Sequence, residues 1–128
     1  MMGVWEGAEL SRDLLAALEC AVDQALADHR ALQRVLSAGL TRAFDPDLRL
    51  PAIRTRIRVI CTDGAISIDI LRGLASDLVR ANDHARTIVR NLNQGSERAR
   101  ASELARSLGG AVRIVNRLIA SMPANEDG

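Results

Sequence analysis

Two histidines, two cysteines, a serine on an apolar frame and seventeen basic residues are what this 128-residue chain offers to chemistry. His29 stands in Asp28-His29-Arg30 and interrupts the series Leu15, Leu18, Val22, Ala25, His29, Leu32, Leu36, which advances by three and four. That period is one face of a helix, and a face so apolar is normally buried. A histidine placed there is a satisfied core or interface residue, or else a ring that accepts a phosphoryl group and must then reach solvent. His84, in Asn82-Asp83-His84-Ala85-Arg86, falls beside a second series of the same kind and reads as a solvated flank.

The short stretch from Asp28-His29-Arg30 into the following apolar period resembles histidine-kinase dimerisation domains and histidine phosphotransfer domains, which carry their phosphoaccepting histidine on a bundle helix. The resemblance implies a phosphoacceptor role for His29. It departs from the pattern at Ala31, Leu32 and Gln33, where a Lys-Gly often follows in phosphotransfer domains. The Asn-containing nucleotide box and Gly-rich lid of the kinases are absent as well. An Arg/His pairing like that of some helical ribonuclease domains needs a longer spacing than Arg80 to His84.

Other catalytic and metal chemistry finds little footing. Cys20 and His29 are nine residues apart, on opposite sides of one helix, whereas helical ligand pairs want three or four. Of Glu6, Glu9, Glu19, Glu97, Glu103 and Glu126, none opens the Glu-x-x-His motif of a carboxylate-bridged bundle. No metal and no cofactor is therefore expected. Ser67 lacks a strand-turn-helix elbow, and Gly109-Gly110 lacks the Lys of a phosphate loop. An enzyme is the less favoured reading. Cys20 and Cys61 follow no disulfide or metal spacing and read as buried small hydrophobes in a reducing, cytoplasmic setting.

The basic residues are all arginine and are unevenly placed. Residues 1–47 hold four Arg against eight acids, whereas residues 48–122 hold thirteen Arg against six. An acidic first helix lying against basic later ones accounts for the split, and an exposed anion-binding face is the alternative. The candidate contacts for an anion or a partner are Arg54, Arg56, Arg58, Arg98 and Arg100, with Arg49 beside them. Arg54, Arg56 and Arg58 step by about 200° on a helix and so spread around it. Trp5 and Phe44 are the sole aromatics, both outside the basic half, which weakens readout of single strands by stacking.

The elements that position these residues follow from the period. A helix is predicted over about 9–38, ending near Gly39. A turn spans Thr41 to Leu50 around Asp45-Pro46-Asp47. Pro51 suits the first turn of a short helix over about 51–61. The frame Ile53, Ile57, Ile60, Gly64, Ser67, Leu71, Leu74, Leu78, Ala81, Ala85, Ile88, Leu92 then runs on. Thr62-Asp63-Gly64 breaks it, Thr62 or Asp63 capping a helix over about 65–93. Residues 52–70 also admit a β-hairpin, because Ile53 to Val59 and Ile66 to Ile70 alternate strictly around Asp63-Gly64. Gly95 and Ser96 mark a stop and a restart, and Ala101, Leu104, Leu108, Ala111, Val115, Leu118, Met122 define a last helix over about 97–121. Pro123 ends it. Gly109-Gly110 implies a kink or an unusually close neighbour.

The expected fold is an all-α antiparallel bundle of three long helices and one short one. It forms one domain over 1–128 with 1–8 and 123–128 as frayed tails. Coiled-coil-like seams make a homo-oligomer, a dimer in the simplest case, the expected assembly. No signal peptide is visible at the N-terminus, and no apolar run is long enough for a membrane span. The sequence thus points to a non-enzymatic interaction or regulatory protein that pairs with itself or another protein. Histidine phosphotransfer through His29 and a nucleic-acid accessory role for the arginine-rich half are the alternatives.

Overall fold

The computed structural model describes residues 2–35, 49–63, 66–92 and 95–122, with the backbone alone for residues 2–11, 63 and 96. Four helices account for nearly all of them: α1 (Met2–Val35), α2 (Leu50–Asp63), α3 (Ile68–Asn91) and α4 (Ser96–Ser121). The described residues contain no strand, so the hairpin reading of 52–70 gives way to two helices. Leu36, Gly39, the turn around Asp45-Pro46-Asp47, Gly64, Pro123 and the tail 123–128 lie outside the described residues. Among the described residues no helix is long and apolar enough to cross a membrane.

Side-chain contacts fix the direction of each pair. Arg54 and Arg58 of α2 pair with Asp23 and Glu19 of α1. Ascending numbers on one helix meet descending numbers on the other, so the two run antiparallel. Arg56 of α2 pairs with Asp77 of α3 at similar distances from the α2–α3 link. Asn82 of α3 lies beside Gly109 of α4, and Val89 lines a groove with Ser102 and Ala105. That hairpin is antiparallel as well. The largest interfaces are α1 with α4 and α3 with α4, followed by α1 with α2, whereas α2 touches α3 sparingly. The chain therefore winds up-down-up-down around one core. At 1.5 Å per residue α2 is about 21 Å long and α3 about 36 Å, so α2 walls only part of the bundle.

The core is the frame read from the sequence. Leu15, Leu18, Val22, Ala25 and Leu32 of α1 are buried, as are Ile53, Ile57 and Ile60 of α2. Leu71, Leu74, Leu78, Ala81, Ala85 and Ile88 of α3 close on them with Leu104, Leu108, Ala111, Val115 and Leu118 of α4. Every buried apolar side chain described is Leu, Ile, Val or Ala. Alanine at 25, 81, 85, 101 and 111 leaves room for neighbouring backbones to approach.

The helix ends depart from expectation in instructive ways. α1 starts at Met2 and not near residue 9, because an established helix extends at one hydrogen bond per residue even where no seam residue is added. α3 starts at Ile68 and not near residue 65. Its cap is Ser67, whose Oγ accepts from the Ile70 N–H at 3.2 Å, in place of Thr62 or Asp63. Ser67 therefore leaves the buried frame and is exposed. At the α3–α4 link, Gly95 takes the cap position with φ 103° and Ser96 is the first helical residue. That φ favours glycine. α4 runs unbroken through Gly109-Gly110. A Cβ built at Gly109 would meet only the Asn82 amide, at 4.0 Å, and one at Gly110 would meet nothing within 4 Å.

Neither glycine is required by packing, so each weakens α4 without structural return. Gly109→Ala and Gly110→Ala should each raise stability by about 1 kcal/mol in urea unfolding. A loss of stability at either position would mean that the helix approaches a neighbour more closely than this arrangement allows.

Candidate binding face

His29 is buried at 9 % exposure, on the core side of α1. It belongs to the interior frame that its spacing indicated and is engaged by another group. A phosphoaccepting histidine has to meet its donor at the surface, and His29 lacks that exposure. His84 is half-buried on α3 and is likewise engaged. Beside His29, Asp28 accepts from Gln24 Nε2 at 3.0 Å and from Ser107 Oγ at 2.6 Å, which ties α4 to α1. Ser67 Oγ is occupied with its capping bond.

The cysteines correct the sequence reading. Both are exposed and both are free thiols. Cys20 lies midway between Leu18 and Val22 and so points away from the seam they share, while Cys61 is one residue past buried Ile60. Partial desolvation raises the Cys61 thiol pKa above its ordinary value, the Glu19 carboxylate raises it further, and Arg58 draws it partly back. Among the described residues no group of His, Cys, Asp or Glu could hold a metal ion.

The arginines of α2 form a matched set. Arg54 binds Asp23, Arg58 lies 3.4 Å from Glu19, and Arg56 binds Asp77. The 200° step between them carries alternate residues to opposite neighbours, α1 and α3. Here the acidic first helix does lie against basic residues of a later one. Such half-exposed pairs contribute about 0–1 kcal/mol each and set orientation more than stability. Arg100 sits 3.9 Å from Glu103 on its own helix, and Arg98 is also engaged. The five arginines singled out from the sequence are thus distributed over several faces, and four of them, Arg54, Arg56, Arg58 and Arg100, are paired with acids.

A different set is not. On α4, Arg106, Arg113 and Arg117 are exposed and advance by seven and four, a single outward row. On α3, Arg72, Arg86 and Arg90 are exposed and advance by fourteen and four. Arg86 and Arg90 line a shallow groove of about 280 Å³ with Val89, Ser102 and Ala105, which places the α3 row alongside α4. None of these six takes part in an ion pair among the described residues. Arg90 donates to Thr87 Oγ1 at 3.3 Å. Asp83, one turn before Arg86, offsets part of the charge, and Val79 is exposed between the ends of the rows at 42 %. The comparable groove on α1–α2 is lined by Asp23, Leu26, Ala27, Arg30 and Arg54, where the acid already holds Arg54.

Sequence proximity groups Arg54, Arg56 and Arg58 and leaves unmarked the α3–α4 rows, whose members are far apart in the chain. The usable signal was arginine recurring at seven and four on the side opposite the leucines. Compared with protein families, curated proteins and solved structures, the chain matches none.

The electrostatics of Cys61 give a direct check on the α1–α2 contact. In a Cys20→Ser background, Cys61 should react with iodoacetamide more slowly at pH 8 than an ordinary thiol. Glu19→Gln should speed that reaction and Arg58→Gln should slow it. Rates indifferent to both changes would contradict the contact.

Proposed function

We propose that this chain is a non-enzymatic helical-bundle interaction protein that holds an anionic partner on the outward face of α3 and α4. The observation that carries the reading is the alignment of arginines along α3 and α4. Arginines on α2 have acids opposite them, whereas the six on α3–α4 stand in two parallel rows without ion pairs among the described residues. Like charges one turn apart, as at Arg86 and Arg90 or Arg113 and Arg117, repel one another, and an anion laid across them relieves that repulsion. Arginine suits the task because its planar fork can grip an oxyanion through two hydrogen bonds.

Coiled-coil-like seams predict self-association. Those seams are buried within a single chain here, and the exposed large hydrophobes described, Val35, Val59, Ile70 and Val79, are distributed over three helices. A non-enzymatic reading is further supported by the side chains with chemical potential having structural duties, Ser67 as a cap and Ser107 as a helix tie.

Retention on a heparin column tests the reading. The wild-type protein should bind at about 50 mM salt and elute as salt rises. Arg106→Glu/Arg113→Glu/Arg117→Glu should pass through, while Arg54→Gln/Arg58→Gln should behave as wild type. Equal elution of all three proteins would remove the face from the account.

A further inference from the structure

Resting on the anionic-partner reading, we infer that the α3–α4 face docks on the phosphodiester backbone of a double-stranded nucleic acid and does so without reading sequence. The dimensions of the face come first. From Arg72 to Arg90 the α3 row covers about 27 Å at 1.5 Å per residue. The α4 row runs antiparallel beside it, on an axis about 8–10 Å away. A duplex offers phosphates along each strand every 3.4 Å or so, about eight of them over that length. A long polyanion can therefore meet both rows at once, which a small anion cannot.

The residue types narrow the choice. Backbone contacts by arginine position a protein on a duplex and carry no base information. Side chains suited to adenine or guanine edges would have to project from a helix entering the major groove. Here the rows lie on two helices packed side by side, a surface too broad for that groove. Single strands are held by stacking on aromatic side chains, and the only aromatics in the chain are Trp5 and Phe44, neither on α3 or α4. A membrane surface would call for bulky apolar residues among the basic ones. Val79 is the one exposed large hydrophobe described on this face. Duplex phosphate is the occupant that needs nothing the face lacks.

The test uses the full-length protein and a fluorescein-labelled DNA duplex of about 24 base pairs, followed by anisotropy, with heparin, polyglutamate and phosphatidylserine vesicles as parallel probes. The duplex should bind more tightly than its single strand. Affinity should fall by about 100- to 1,000-fold between 50 and 200 mM salt, as expected for about five neutralised phosphates. Arg106→Gln/Arg113→Gln/Arg117→Gln should weaken binding at least about tenfold and lower the salt slope by about three. Should that variant lose helicity by circular dichroism, Arg72→Gln/Arg86→Gln/Arg90→Gln on α3 carries the same test. Duplex binding undiminished in a folded variant overturns the proposal. So does capture of vesicles, heparin or polyglutamate without the duplex, an outcome that leaves the broader anionic reading standing. If none of the four probes binds, both readings fall.

Discussion

Burial of an aliphatic stripe at helical spacing is the constraint on which everything else in this molecule depends. Fully burying a leucine or isoleucine is worth about 1.5–3 kcal/mol relative to leaving it in water. Such residues recur along each helix at three and four. Once Leu18, Leu74 and Leu108 must face a common interior, the rotation of α1, α3 and α4 about their axes is decided. The interior, as described, contains no Phe, Tyr or Trp side chain, so its helices mesh through branched aliphatics and alanine and can pack closely.

The same constraint sorts the charges. A residue two positions past a buried leucine is carried to the far side of the helix. Arg106, two after Leu104, and Arg117, two after Val115, are outward for that reason, and Arg113 stands two after Ala111. α4 brings two acids, Glu97 and Glu103, against five arginines, and α3 has one of its three acids, Asp77, engaged by α2. α1, by contrast, supplies Glu19 and Asp23 to the short helix beside it. The positive face thus follows from where the chain places its few acids, given the rotation that the core imposes.

Much of this was legible from the residues in order. The frame members in the described part of α1, in α2, α3 and α4 are buried as their period implied, and the last helix closely matches its expected span. His29, polar within an apolar series, is indeed interior. What escaped was decided by chemistry acting over one or two residues. The strict alternation of Ile53 to Val59 suits a strand as well as a helix, and only tertiary packing against α1 separates them. Ser67 satisfied the numerical frame, yet its hydroxyl finds a better partner in the Ile70 N–H than any core could offer. The cysteines were judged by residue type, whereas their positions between frame members place them outward. The arginine rows were hidden because their members are far apart in sequence and adjacent only on the folded surface.

The decisive measurement is urea unfolding of Leu74→Ala, Leu108→Ala and Val79→Ala, each at two protein concentrations. The account predicts losses of about 2–5 kcal/mol for the two leucines and a change within about 0.5 kcal/mol for Val79. Midpoints should not depend on concentration, since the seam closes within one chain. A midpoint that rises with concentration, or a Val79 effect as large as that of Leu74, would contradict it.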